Sequence, residues 1–224
     1  LWYQRDAGAL AHDLLVLAFI DDDLRRVSTD SMAGYGKPVL AMQDGALVPQ
    51  NVPVPRAPFL WPALTQNLGL FEKLRLVELP RALLARFAPQ VAASANATSD
   101  EDAARLDEAI LRALHATAKE RGAKLVLVHL PHLATGAPSE LAPLPEFARP
   151  VLERVAADGV PFVDLRVALE REPDPARRAL FQPDTVENGP GGHYSAAGNR
   201  FMASAIAERL VALGEIPAEA CVAR

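Results

Sequence analysis

Three short runs of apolar residues, each lacking polar alternation, constrain the fold of this chain more than any other feature. They are LLVLAFI at 14–20, KLVLVHL at 124–130 and PFVDL at 161–165. Strands that are buried on both faces have this composition, and they occur in parallel sheets covered by helices. The runs therefore predict a parallel sheet with helices on both of its faces.

Helical patterns separate and follow these strands. One predicted helix begins after Ser99, a capping residue type, and ends near Gly122, and the last predicted helix runs from Ala196 to Leu213 before Gly214. The last helix is expected to bury four apolar side chains, namely Phe201, Ile206, Leu210 and Leu213. Strands that alternate with helices indicate βαβ crossovers, so the chain is predicted to form a three-layer α/β domain.

An irregular segment at 34–62 interrupts this alternation. Within it, KPVLAMQDGALVPQ predicts a β-hairpin, because Asp44-Gly45 suits a two-residue turn that requires positive φ. The NVPVPRAPFLWP stretch that follows is predicted to be extended, since the residue before a proline avoids the helical region. We therefore predict one domain over 1–224 with a small hairpin and proline-rich insertion at 34–62.

Length and charge exclude several functional classes. The 224 residues are enough for one large domain, and the net charge of −5 argues against a nucleic-acid surface, which requires a basic patch. The longest apolar run, 14–20, is too short to span a bilayer. The single cysteine, Cys221, has no partner for an intramolecular disulfide. We therefore expect no nucleic-acid partner and no transmembrane segment in this chain.

The beginning of the chain bears on how much of a domain it represents. It starts at Leu1 rather than at methionine, and its first predicted strand already begins at Leu14. Three strands also make a thin parallel sheet. We therefore expect 1–224 to be the C-terminal part of a longer domain whose earlier strands lie upstream.

Three loops are the expected ligand-binding segments, because ligands of open parallel sheets lie beyond the carboxyl ends of the strands. The loops contain IDDDLRR, HLPH and FQPDTVENGPGGHYS, which follow the first, second and third predicted strands. Chemistry that combined residues of two or more of these loops would be spatially coherent.

His193 is the first candidate in these loops. It follows two glycines and precedes Ser195, a natural N-cap for the last helix, so its side chain is presented rather than packed. A histidine in this position can serve as a general base, which requires an orienting acceptor such as Asp184 or Glu187 of the same loop. The alternative is a surface histidine with no role.

The charged residues of the other two loops have competing explanations. The three aspartates at 21–23 repel one another, so they either bind a divalent cation or are neutralised by Arg25 and Arg26. His129 and His132 of HLPH are three residues apart, but they lack the fixed helical spacing of zinc motifs. No further cluster completes either site, so we assign no metal ion.

The order of these blocks resembles that of a known family. FQPDTVENGPGGHYSAAGNRFMASAIAERL resembles the last block of the SGNH hydrolases, also called GDSL esterases, in which an Asp and a His precede a small-residue helix with the pattern His-x-x-x-x-Gly. HDLLVLAFIDDDLRR is similar to the family's strand that ends in Asn-Asp-Leu, and GYGKPVLAMQDGALVPQNVPVP is similar to an insertion in bacterial members. The resemblance covers most of the chain and implies a flavodoxin-like α/β/α fold.

The resemblance implies roles for three residues. His193 matches the catalytic base, and Asp184 is assigned as its carboxylate partner. Glu187 is the rival, because the family's pattern is Asp-x-x-His and the residue three before His193 is Pro190. Asp22 occupies the place of the oxyanion-hole Asn, which is a departure, because an ionised carboxylate has no proton to donate.

The nucleophile is the largest departure from the family's pattern. The family's serine lies in a Gly-Asp-Ser motif directly after the first strand of the fold, and we expect that block upstream of Leu1. TDSMAGYG at 29–36 offers Ser31 as an alternative, although DDDLRRVS separates it from the preceding strand.

The resemblance therefore implies a serine ester hydrolase or O-acyltransferase that acts on an acylated small molecule or glycan. It implies no metal or organic cofactor, and it is compatible with a periplasmic or secreted location; the oligomeric state stays open. Two alternatives also remain. Asp22 and the absent Asp-x-x-His spacing favour a non-catalytic SGNH-like module that binds a glycan or a protein. GPGG at 189–192 would instead suit the phosphate ligand of an unrelated flavodoxin-like protein, but no lysine accompanies it.

Overall fold

The structure is a computed structural model of the 224-residue chain and describes residues 2–5, 10–32, 35–54, 99–134, 137–183 and 193–221. These residues form a mixed α/β protein around one three-stranded parallel sheet. The chain divides into two compact units, the first made of 1–24 with 107–224 and the second of 25–106. The parallel sheet belongs to the first unit.

Helices and strands follow one another along the described chain, and a short 3₁₀ helix, Ala218–Cys221, ends it. In chain order they are α1 Trp2–Arg5, β1 Leu14–Phe19, α2 Asp21–Arg26, β2 Ser31–Met32, β3 Tyr35–Gly36, β4 Val39–Gln43, β5 Ala46–Gln50, α3 Asp100–Glu120, β6 Lys124–His129, β7 Leu133–Ala134, β8 Ala137–Leu141, α4 Ala148–Ala157, β9 Phe162–Asp164, α5 Arg166–Glu170, α6 Asp174–Ala179 and α7 Ala196–Ala212.

The parallel sheet consists of the three predicted strands, in the spatial order β1-β6-β9. The prediction of a parallel sheet is therefore confirmed. β6 is central, and its residues from Leu125 to His129 are at most 2% exposed. β1 is only partly buried, with Val16 36% exposed, which differs from the expected burial on both faces. Within the described residues β1 is an edge strand that pairs with β6 on one side only.

Helix α3 has the predicted boundaries. The Ser99 hydroxyl oxygen accepts a hydrogen bond from the Asp102 backbone N–H at 3.1 Å, which caps the first turn. After the last turn, Gly122 adopts φ 76°, a left-handed conformation that glycine adopts without strain. Local capping signals therefore determine both ends of this helix.

Helix α7 packs on the sheet in a buried apolar cluster. It contributes Met202, Ala205 and Leu210, which join Val126 and Val128 of β6 in that cluster. Helix α7 also ends where predicted, since Ala212 is its last residue and Gly214 follows with φ 71°.

The buried side of α7 matches the prediction in part. Leu210 is buried, and Phe201 and Ile206 are partly buried against the apolar cluster. Leu213, however, is 42% exposed, and Met202, which was not among the predicted residues, is 4% exposed. Apolar residues, mostly alanines, occur on every side of this helix, so periodicity alone does not determine which side faces the sheet.

The predicted hairpin is present in the second unit. β4 and β5 pair antiparallel around Asp44 and Gly45, which adopt φ 50° and 79°. Both positive values are required by the type I′ turn that an Asp-Gly pair favours. The part of the proline-rich segment after residue 54 lies outside the described residues.

Asp107 is an unusual core residue on α3. It is 2% exposed, and its Oδ2 has no hydrogen-bond partner among the described residues. Burial raises the pKa of Asp107 from the ordinary 3.8 to about 7. Between these two values, the folded chain holds a proton that the unfolded chain has released, so stability falls as pH rises through this window.

We expect Asp107→Asn to remove this pH dependence. At pH 8 the variant should have a free energy of unfolding higher than that of the wild type by up to about 4 kcal/mol, because it contains no buried charge. Urea unfolding at pH 5 and pH 8 measures the difference. The exposed Asp13→Asn variant is the matched control, and an equal pH dependence in the wild type and Asp107→Asn would contradict the assignment.

Candidate functional site

The register of the sheet brings the last residues of three strands together. Phe19 of β1 pairs with His129 of β6, and His129 pairs with Asp164 of β9. Directly paired residues point to the same face of the sheet, so the His129 ring lies between the Phe19 ring and the Asp164 carboxylate. The centroids of the Phe19 and His129 rings are 5.7 Å apart. The three side chains therefore meet at the carboxyl edge of the sheet.

His129 is fully buried, and both of its ring nitrogens face carboxylates. Nδ1 lies 2.9 Å from Oδ1 of Asp164, and Nε2 lies 2.6 Å from Oδ1 of Asp21, the first residue of α2. Oδ1 of Asp164 also accepts a hydrogen bond from the Arg166 backbone N–H at 3.0 Å. Ionised carboxylates only accept hydrogen bonds, so both ring nitrogens donate and His129 is an imidazolium. We call Asp21, His129 and Asp164 the Asp–His–Asp network.

The pKa values in this network shift in the directions that keep it charged. Burial is the largest single influence and would raise the pKa of Asp21 and of Asp164. The contacts with His129, together with those of His132 at Asp21 and of Arg166 at Asp164, outweigh burial and lower both pKa values. Burial alone would lower the pKa of His129, but the hydrogen bonds with Asp164 and Asp21 outweigh it and raise the pKa. Each buried charge is therefore stabilised by an opposite one.

His132 extends the network towards solvent. Its Nδ1 lies 2.9 Å from Oδ2 of Asp21, an ion-pair distance at an angle that does not form a hydrogen bond. The contact with Asp21 is the largest cause that raises the pKa of His132; burial opposes it, and the charge of Asp22 adds to it. The His132 side chain is 21% exposed, whereas that of His129 is fully buried. His132 is therefore the imidazole of this cluster that a ligand can reach.

His193 is held by its backbone, and its side chain is exposed. Its carbonyl oxygen accepts a hydrogen bond from the Gln182 N–H at 2.8 Å, and the next residue, Tyr194, forms a β-bridge with Phe181. Ser195 then caps α7, since its hydroxyl oxygen accepts a hydrogen bond from the backbone N–H of the third residue beyond it at 3.1 Å. The predicted cap is confirmed, and it fixes the chain directly after His193.

Tyr194 joins the His193 segment to the loop after β6. Its hydroxyl donates a hydrogen bond to the carbonyl oxygen of Pro131, the residue before His132. Burial and, to a smaller extent, the charge of Asp21 raise the pKa of Tyr194, so the hydroxyl remains a donor at neutral pH. His193 and His132 are therefore each one residue from the same hydrogen bond.

The remaining predicted site residues lie in different parts of the structure, or outside the residues that it describes. Asp22 lies exposed in the first turn of α2, and its charge acts on His132. Asp184 and Glu187 lie outside the described residues, as does GPGG at 189–192. Ser31 follows α2 and belongs to β2, which pairs antiparallel with β3, so it does not directly follow a strand of the parallel sheet.

The Asp–His–Asp network itself was not predicted from the sequence. The available signal was a histidine at the end of an otherwise apolar buried run, followed by an aspartate at the end of the next run. Ionisable residues are almost never fully buried unless they are paired. The sequence therefore indicates that His129 and Asp164 each need a polar partner, but it does not show that they pair with one another.

A metal ion has no ready site in the described ranges, where no group of three or more His, Cys, Asp or Glu residues is arranged to hold one. At His129 the reason is direct, because both ring nitrogens already face carboxylate oxygens. Over the same ranges, no helix has the length and apolar character needed to cross a membrane.

Comparisons of the chain with protein families, with curated proteins and with solved structures find no match. Likeness to known proteins therefore assigns no family, and the chemistry of the carboxyl edge has to indicate the function.

We expect His129→Gln to destabilise the fold, because it leaves the buried carboxylate of Asp21 and the partly exposed carboxylate of Asp164 without their shared cation. Removing one partner of a buried ion pair typically costs roughly 3–5 kcal/mol. The folded-state pKa of His129 is raised, so its contribution is fully present below the ordinary pKa of histidine and is lost as pH rises through the raised value. Urea unfolding of wild type and variant from pH 5 to pH 9 measures how their difference shrinks.

His12→Gln is the control for this experiment, since the His12 ring bonds Tyr3 outside the network. A difference between wild type and His129→Gln that stays constant from pH 5 to pH 9 would contradict a charged His129.

Gly198 explains why the residue five after His193 must be small. A Cβ at this position would lie 1.9 Å from the Leu180 carbonyl oxygen, which already accepts a hydrogen bond from the Ser195 N–H at 2.9 Å. We expect Gly198→Ala to lower the free energy of unfolding by roughly 1–3 kcal/mol and to displace the segment that carries His193. Thermal unfolding and the amide NMR shifts of residues 193–195 measure both effects. The exposed neighbour Asn199→Ala should leave them unchanged, and an unaltered Tm in Gly198→Ala would contradict the clash.

Proposed function

We propose that this chain carries the acid–base part of an acyl-transfer site of SGNH type, which hydrolyses an ester or passes its acyl group to a hydroxyl. The observation that carries the proposal is the exposed His193 directly before the capped helix α7. Through Tyr194 and Pro131, this histidine is tied to the edge at which β6 ends. An imidazole with a fixed backbone and an exposed ring suits proton transfer to or from a reacting group.

The arrangement of the strands supports the same proposal. In the flavodoxin-like strand order 2-1-3-4-5, the last three strands lie side by side in chain order. β1, β6 and β9 have this relation and all run parallel. They would then be the third, fourth and fifth strands of such a sheet. In the proposed family, α2 would carry the residue at the oxyanion position, and the segment before α7 would carry the catalytic base.

The proposed reaction follows the logic of a serine triad. His193 takes the proton of a serine hydroxyl as that oxygen attacks the acyl carbon, and Asp184, with Glu187 as the rival, holds the imidazole in the correct tautomer. The acyl-enzyme then reacts with water, or with the hydroxyl of a sugar. The substrate class is an acylated small molecule or glycan.

A second candidate function is a non-catalytic module that binds a glycan or a protein. The observation that favours it is the exposed carboxylate of Asp22, which occupies the position of an amide donor in the proposed family. A carboxylate accepts hydrogen bonds from sugar hydroxyls but donates none to an oxyanion.

The test is ester hydrolysis by the complete polypeptide. We expect it to hydrolyse p-nitrophenyl acetate, and His193→Gln should lower kcat/KM by roughly 10³-fold, because the nucleophile loses its base. His12→Gln is the matched control, since that histidine bonds Tyr3 outside the site. A fluorophosphonate probe, which attaches covalently to an activated serine, followed by peptide mass spectrometry, identifies the nucleophile.

Full activity in His193→Gln would refute its role as the base. No hydrolysis and no labelled serine, together with saturable binding of an acetylated oligosaccharide, would support the binding module instead.

A further inference from the structure

His132 has the geometry of an oriented acid–base residue. Its Nδ1 is buried against Oδ2 of Asp21, 2.9 Å away, so the opposite ring nitrogen, Nε2, points away from that carboxylate. Asp21 itself cannot turn freely, because its Oδ1 is bonded to Nε2 of His129 at 2.6 Å. In serine triads a carboxylate at Nδ1 orients the acid–base histidine through a hydrogen bond, and in His132 the carboxylate of Asp21 lies at ion-pair distance from the same ring nitrogen.

We infer that His132 is the general acid that protonates the leaving alcohol in the reaction proposed above, an inference that rests on that proposed function. Asp21 acts as its positioning residue. His193 and His132 would then divide the two proton transfers, with His193 as the base for the nucleophile and His132 as the acid for the leaving group.

The charges around His132 support a protonated ring. Asp21 and Asp22 face it from α2, and both raise its pKa, while His129 from β6 opposes them. The Tyr194 hydroxyl, on the segment before α7, stays protonated, because burial raises its pKa. The net effect is a raised pKa of His132, which favours the imidazolium, the form that an acid requires.

The reaction balances with two histidines. In the first half, His193 takes the serine proton, the serine oxygen bonds the acyl carbon, and the carbon–oxygen bond to the alcohol breaks. The departing oxygen keeps that electron pair and takes the proton from Nε2 of His132. In the second half, water adds to the acyl carbon and gives a proton to His132. The serine oxygen leaves and recovers its proton from His193, so both rings return to their starting state.

Substrates with different leaving groups distinguish an acid role of His132 from a purely structural role of the same residue. An alkoxide is a strong base and must be protonated as it leaves, whereas p-nitrophenolate leaves without a proton. We therefore compare kcat/KM of the complete polypeptide for ethyl acetate and p-nitrophenyl acetate. His132→Gln should lower the ratio of the two values, ethyl over p-nitrophenyl, by roughly 10²-fold. His193→Gln should lower both values together, and His12→Gln should change neither.

A second measurement needs no substitution at His132. In the wild type, the same ratio should fall as pH rises through the pKa of His132, which an NMR titration of the ring reports directly. In Asp21→Asn, the pKa and the fall in the ratio should both move to lower pH, because the orienting charge is gone.

The outcomes distinguish the two proposals. An unchanged ratio in His132→Gln, or a ratio that does not vary with pH in the wild type, overturns the acid role of His132 while ester hydrolysis stands. Absence of hydrolysis of both esters by the wild type overturns the proposed function, and with it the acid role.

Discussion

The buried imidazolium of His129 holds the carboxyl edge of this protein together. Its two nitrogens bind carboxylates from two other elements, Asp21 at the start of α2 and Asp164 at the end of β9. The buried charges of His129 and Asp21 are tolerated only while they are paired, and Asp164 supplies the second pairing of His129, so the positions of these elements depend on one another. The contact also has a directional consequence. One oxygen of Asp21 is bonded to His129, and the other faces His132. The buried contact with His129 therefore also fixes the carboxylate that the half-buried His132 ring faces.

Much of the fold could be predicted, because its determinants are local. The three apolar runs are the three parallel strands, Ser99 and Gly122 bound α3, and Asp44-Gly45 forms the turn of the hairpin. Each of these features needs only a few adjacent residues to specify it.

The errors arose where distant parts of the chain decide the outcome. Helix α7 has apolar residues on all sides, so its periodicity does not show that Met202 is buried and Leu213 exposed, or that Gly198 lies against the Leu180 carbonyl. The pairing of His129 with Asp164 likewise depends on the register between two strands, which a single sequence does not specify. The Ser195 cap of α7 was predictable for the opposite reason, since Ser195 directly precedes the helix that it caps.

The run of three aspartates shows why adjacent, identical residues are not equivalent. Successive residues of an α-helix turn by roughly 100°, so the three carboxylates leave the first turn of α2 in different directions. Asp21 points inward to His129, and Asp22 is exposed to solvent. Asp23 returns to the helix start, where its Oδ2 accepts a hydrogen bond from the Ile20 N–H at 3.0 Å.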